Sequence, residues 1–431
     1  FKRRSLNKII YEITTMKQNN ISTILPTYAR MNASFIRGAG TRLYDKNDVE
    51  YLDFGSGIAV NCLGHCHPKL VTALADQATK LWHTSNIYHI PGQEKLAHRL
   101  SNLTFADSMF FTNSGAEAVE CAIKMARRYY DANGHPEQYR VITFEGSFHG
   151  RTLATIAAGG SDKLTQGFGP KVDGFDVVPF YSDMNDVENH VTNETAAIMI
   201  EPVQGEGGIR PVSGENLKIL RDLADKNGLL LIYDEIQCGV GRTGKLFCHE
   251  HTGVKPDIMP IAKGIGGGFP LGACLTIEKV AKHMIAGTHG STYGGNPMAM
   301  TMGNAVLDVF EEENILENVK KMSATLRTEL TKLSEKYPQI IETVRGIGLM
   351  MGLKLHIETK DFVVQAFENR MLIVGGGENT VRILPPLNIT SNDIDDAIRL
   401  LDKTCSDIFK KMVLPTNGTA IFVAFFSTWG N

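Results

Sequence analysis

Short apolar runs recur through the middle of the chain, and helical patterns lie between some of them. Residues 141–144, 177–180, 196–201, 229–234, 258–262 and 273–277 have the length and apolar density of buried strands. Residues 215–227 put Leu217, Leu220 and Ala224 on one helical face and end at Gly228. Alternation of this kind buries both faces of a mostly parallel sheet, so the pattern predicts an α/β fold. Ligands of such sheets collect beyond the carboxyl ends of the strands. Two ionisable residues stand there: Asp234 ends the run 229–234, and Lys263 follows the run 258–262.

Lys263 lies in an apolar segment and is followed at once by Gly264, Gly266, Gly267 and Gly268. An amine and an acid so placed are what a pyridoxal phosphate site needs. The lysine condenses with the aldehyde, and the acid keeps a proton on the pyridine nitrogen.

With 431 residues and 43% hydrophobic composition, the chain can bury a large core in two or three structural units. A net charge of -3 does not recommend a nucleic-acid partner. No apolar run approaches the ~20 residues needed to cross a bilayer. Seven scattered cysteines suggest reduced thiols in a cytoplasmic protein rather than a disulfide frame. Residues 1–20 are polar and basic. They read either as part of a transit peptide or, the favoured reading, as upstream readthrough before a start near Met16. Residues 411–431 form a tail to which no function is assigned. In between, an N-terminal segment (21–58) holds a hairpin over 34–37 and 42–45. A large unit (59–297) follows. A smaller α+β unit (298–410) has charged helices over 311–337, strands near 341–344, 350–355, 371–374 and 381–384, and a last helix over 391–409.

Several motifs admit two readings. Asn113-Ser114-Gly115-Ala116-Glu117 has capping-box spacing before a helical pattern; it is an ordinary helix start or a phosphate cradle. Gly146-Ser147-Phe148-His149-Gly150-Arg151-Thr152 follows a strand. Phe148 can lie on a ring and Arg151 can grip a carboxylate, or both are surface loop residues. Glu201-Pro202-Val203-Gln204-Gly205-Glu206-Gly207-Gly208 either aims Glu206 inward or leaves it in solvent. Gly239-Val240-Gly241-Arg242-Thr243-Gly244 fits G-x-G-x-x-G but does not join a strand directly to a helix, so a dinucleotide site is rejected. Cys62-Leu63-Gly64-His65-Cys66-His67 lacks a second ligand pair for zinc and reads as a turn into a helix at Pro68. Ser291-Thr292-Tyr293-Gly294-Gly295 is a turn whose hydroxyls suit phosphate oxygens.

Taken in order, these motifs resemble the class III (subgroup II) pyridoxal-phosphate-dependent aminotransferases over about residues 25–409. The resemblance implies fold type I, a homodimer with sites at the subunit interface, and transfer from an ω-amino donor to a 2-oxo acid. It makes Lys263 the cofactor-bearing lysine, Asp234 the partner of the pyridinium nitrogen and Gln237 the neighbour of the ring hydroxyl. Phe148 is similar to the stacking aromatic, and Gly115 and Ala116 to the phosphate-binding helix start. Thr292 resembles a phosphate ligand supplied by the other subunit, with Ser291 beside it near substrate. Arg151 corresponds to the α-carboxylate arginine, and Glu206 with Arg382 to a gate on a second carboxylate site. Tyr28 corresponds to a contact with the distal end of the donor. Ile58 stands where a tyrosine meets the free α-amine of ornithine; an apolar group there favours acetylornithine over ornithine as donor. The resemblance makes 2-oxoglutarate the acceptor. Other ω-amines (ornithine, succinylornithine, succinyl-diaminopimelate, 4-aminobutyrate) stay open, as do a racemase or decarboxylase on the same scaffold and a non-catalytic binding protein.

Overall fold

The apolar runs pair into one seven-stranded sheet in a computed structural model that describes residues 23–180 and 183–413. The order is Ser108–Thr112, Gly272–Thr276, Ile258–Ile261, Leu230–Tyr233, Thr195–Ile200, Arg140–Phe144 and Phe175–Val178. Gly272–Thr276 runs antiparallel to both neighbours; the other adjacent pairs are parallel. Alternate residues of one strand serve opposite layers. Ala197 and Met199 pack with Val119, Ala122 and Ala126 of the helix Gly115–Ala132. Ile198 and Ile200 pack with Leu217, Leu220 and Ala224 of the helix Gly214–Asn227. Both faces are therefore covered, which is why these strands are apolar without alternation.

Three expectations need correction. The run at 177–180 pairs two residues earlier, as Phe175–Val178, because Pro179 has no N–H to donate to a ladder. Ser108–Thr112 is an edge strand outside the expected set; only Phe111 and Thr112 are buried, so its apolar signal is short. The expected strand 371–374 is two strands. Met371–Leu372 pairs parallel with Glu50–Asp53, whereas Val374–Gly376 pairs with Thr380–Ile383.

The N-terminal hairpin, Phe35–Ala39 and Arg42–Asp45, extends through Glu50–Asp53 into that C-terminal strand. A second antiparallel sheet orders Ile341–Ile347, Met350–Leu355, Thr380–Ile383 and Val374–Gly376. Helices Pro297–Glu312, Ile315–Lys336 and Ser391–Val413 complete this part of the chain. Of the charged helices expected over 311–337, one is Ile315–Lys336; the other, Pro297–Glu312, begins earlier, and Asn314 in a left-handed conformation separates them. Pro68 opens the helix Pro68–Ala78, as its motif predicts. Among the described residues no helix is long and apolar enough to cross a membrane. The readings of residues 1–20 and of the tail beyond Val413 fall outside the described residues.

Candidate active site

Four parallel strands end side by side at Phe144, Ile200, Tyr233 and Ile261, and the loops that follow them enclose a cavity of about 420 Å³. Lys263, Asp234, Gln237, Phe148, Arg151, Gly115 and Ala116 all line it. Sequence neighbours do not explain this convergence; the parallel order of the strands does.

Lys263 opens a single 3₁₀ turn, Lys263–Gly266, with a left-handed backbone (φ 49°). Such a conformation is strained for a residue with a side chain and is typical of sites where placement matters. Burial lowers its amine to about 8; the Arg382 charge pushes the same way, while Glu206, Glu201 and Asp234 pull upward. Asp234 is buried and bonded twice: Oδ2 to His149 Nδ1 at 2.7 Å, and Oδ1 to the backbone N–H of Ile236 at 3.1 Å. Burial pulls the His149 imidazole down, but the hydrogen bond and charge of Asp234 outweigh that and raise it overall.

The phosphate-cradle motif is a true helix start. Ser114 Oγ accepts from the Glu117 N–H at 3.3 Å, and Glu117 reaches back to the Asn113 N–H at 2.7 Å. The N–H groups of Gly115 and Ala116 belong to the first turn, where no intrahelical acceptor exists. They face the cavity at the positive end of an 18-residue helix. Gly150, at φ 131°, brings the Phe148 loop against this turn; a Cβ there would stand 2.8 Å from the Ala116 Cβ. The Arg151 guanidinium lies 5.6 Å from the Phe148 ring centre, at the mouth.

Arg382 is 1% exposed and adjoins the cavity through Gln237, 3.4 Å from its Nη1. The same nitrogen donates to Glu206 Oε1 at 2.6 Å, and Nη2 donates to the Gly375 carbonyl at 2.8 Å. Glu206 lines a neighbouring groove of about 780 Å³ that shares Phe148 and Arg151 with the cavity.

Four expected residues lie apart. Tyr28 is 74% exposed and does not line the cavity. Thr292 is exposed and Ser291 half-buried; Ser291 Oγ accepts from the Gly294 N–H at 2.8 Å. Ile58 also lies off the cavity, with φ 65°, unusual for a β-branched residue, while Val60 lines it.

Two ionisable lining residues stand outside the expected set. His149 follows Phe148 in its loop. Glu201, five residues before Glu206, ends the strand beside that of Asp234: Ile200 pairs with Tyr233. Its carboxyl accepts from the Phe148 N–H at 2.8 Å and the Gly205 N–H at 3.1 Å. Burial, then the Asp234 charge, raises it to about 7. Equivalent position at a strand end was the signal available.

A buried amine of lowered pKa, an oriented carboxylate, a helix start and an aromatic wall fit an aldehyde-bearing, phosphorylated aromatic ring. The comparisons agree. The model of the aminotransferase class-III family matches residues 25–405. The acetylornithine aminotransferase of Mesorhizobium japonicum is 57% identical over 377 residues, 88% of this chain and 94% of that protein. An ornithine aminotransferase structure from Toxoplasma gondii, with partial occupancy of PLP in its active site, superposes with TM-score 0.85 at 30% identity. That match covers 95% of this chain and 96% of the other. The N-acetylornithine aminotransferase structure from Stenotrophomonas maltophilia gives 0.78 at 35% identity, with 89% and 98% covered.

Proposed function

This chain belongs to the class III aminotransferases, and from that premise we propose that it moves the distal amino group of N2-acetylornithine to 2-oxoglutarate. The products are N-acetylglutamate semialdehyde and glutamate, in arginine biosynthesis. The fold is type I and the cofactor is pyridoxal phosphate. The observation that carries the donor is the name shared by relatives at half or more identity. The ornithine reading has only a fold likeness at 30% identity behind it.

When bound, the cofactor supplies an aldehyde for the amine and an electron-poor ring that accepts the electrons left by a departing proton. Lys263 is its point of attachment. Asp234, held in place by His149 and the Ile236 N–H, would pair with the ring nitrogen. Gln237 would neighbour the ring hydroxyl, Phe148 would cover the ring, and Gly115 and Ala116 would take the phosphate. Lys263 Nζ, lowered to about 8, gains and loses a proton near neutral pH, as a carrier of the substrate's proton must. Arg151 grips the carboxylate common to both substrates. Arg382 takes the second carboxylate of 2-oxoglutarate, and Glu206 covers that guanidinium while the donor is bound.

On this reading residues 59–297 form the cofactor unit and 298–410 the smaller one, in a cytoplasmic homodimer. Thr292 reaches the phosphate held by the other copy, with Ser291 and Tyr28 near substrate. Trp82, Ile87, Tyr88 and Tyr293 are each more than 60% exposed, an apolar surface suited to a second copy. The test is kcat/KM on acetylornithine and on ornithine, with Lys263→Ala alongside. Acetylornithine is expected to be preferred, and Lys263→Ala to lose turnover and the yellow colour of the holoenzyme. A preference for ornithine overturns the donor, and full turnover in Lys263→Ala overturns the chemistry.

A further inference from the structure

The glycine-rich loop Gly239-Val240-Gly241-Arg242-Thr243-Gly244 has no part in the chemistry above, yet it holds one of the two arginines, with Arg382, that head the fully buried side chains of the described residues. Arg242 is 1% exposed. Burial lowers its guanidinium to about 10, with only the Cys62 thiol acting the other way, so it stays charged at neutral pH with no acid compensating it. Its Nη1 donates to the carbonyl oxygens of Leu349 at 3.0 Å and Pro385 at 2.5 Å, and its Nη2 is buried without a partner. A buried cation held by neutral oxygens alone costs stability, so its presence calls for a role.

The two acceptors share a position. Met350–Leu355 pairs antiparallel with Thr380–Ile383, with Met351 opposite Ile383 and Gly352 opposite Arg382. Carried two residues further, the same register sets Leu349 opposite Pro385. The ladder has ended there, and Pro385 has no N–H to continue it. Both carbonyls turn to one guanidinium instead. The backbone closes the same joint: the Leu349 N–H donates to the Arg242 carbonyl at 3.0 Å. Gly348, at φ 60°, lies so close that a Cβ would fall 2.6 Å from that carbonyl oxygen. At its other end, the loop of Arg242 begins from Asp234 and Gln237.

We propose that Arg242 is a positioning residue that pins the open end of the ladder carrying Arg382 to the loop carrying Gln237 and Asp234. It thereby fixes where the second carboxylate of 2-oxoglutarate binds. The proposal rests on the assignment of Arg382 to that carboxylate. It makes Arg242 matter for one substrate and not for the other, which a purely structural role does not.

The experiment compares wild type with Arg242→Met, an apolar side chain of similar length whose burial carries no charge penalty. Both holoenzymes are read by KM for 2-oxoglutarate and for acetylornithine, and by hydrogen exchange at the amides of Leu349 and Leu384. The expected result is a rise of about tenfold in KM for 2-oxoglutarate, with the donor KM changed less than about twofold and faster exchange at both amides. Equal changes for the two substrates, or none, with exchange unaltered, overturn the proposal. If Arg242→Met does not fold, Arg242→Lys is read by the same ratio, since a lysine keeps the charge but not the planar fork. Arg382→Ala separates the premises. Should it leave KM for 2-oxoglutarate unchanged, the carboxylate assignment has failed, and exchange at Leu349 and Leu384 still decides the clamp.

Discussion

Glu201 is buried at a strand end beside Asp234, and that pairing has a consequence for pH. Its folded-state value, about 7, lies above its ordinary 4.5. Between those values the folded protein holds a proton that the unfolded chain releases, so stability falls as pH rises through that window. Glu201→Gln removes the titration. It also replaces one of the two oxygens that accept from the Phe148 and Gly205 N–H groups, at a cost of about 1–3 kcal/mol. The expected outcome is a melting temperature lower than wild type at pH 5 and a flatter decline toward pH 8. An unchanged slope would show that Glu201 ionises elsewhere on the pH scale.

The element that matters most is the loop from Gly146 to Thr152. It is tied to Glu201 through the Phe148 N–H, and to the helix Gly115–Ala132 through the close approach at Gly150. The second contact is not available to a bulkier residue. Gly150→Val places a β-branched residue at φ 131° and a Cβ within 2.9 Å of Thr155 Oγ1. The loop must then lift from the helix start. We expect pyridoxal phosphate to bind the cofactor-free variant at least about tenfold more weakly, a loss of about 1.4 kcal/mol, in an absorbance titration. The central sheet, which this loop does not support, should keep its far-ultraviolet signature. Wild-type affinity would mean that the loop does not shape the cavity.

At the scale of the molecule, the two halves of the chain are also stitched together by residues outside the cavity lining. Glu50–Asp53 pairs with Met371–Leu372, and Arg42 spans to the last helix, donating to Asp393 at 3.3 Å and Asp396 at 2.7 Å. Thr41 Oγ1 donates to Asp393 as well, at 2.6 Å. Arg42 and Asp393 are largely shielded from solvent, so Arg42→Ala is expected to cost about 1–3 kcal/mol. Its mark should be local: faster hydrogen exchange at Leu52 and Phe54, with turnover close to wild type. Loss of turnover in that variant would mean that the chain ends, and not only the strand-end loops, set the cavity.

Legible in the amino-acid order alone were the α/β class, most strands to within a residue or two, and the places of Lys263, Asp234 and Phe148 just beyond strand ends. Each of these is a local property: apolar run length, a glycine-rich turn, an ionisable group where a strand stops. What it did not determine is adjacency. That Glu201 lies beside Asp234, that His149 reaches Asp234 across 85 positions, and that Arg242 closes a ladder more than 100 residues away follow from strand order and register. Those are fixed by mutual burial of whole faces, and no window of the chain contains both partners. The same holds for the division of residues 371–374 into two strands, since a strand is defined by the neighbour it bonds to.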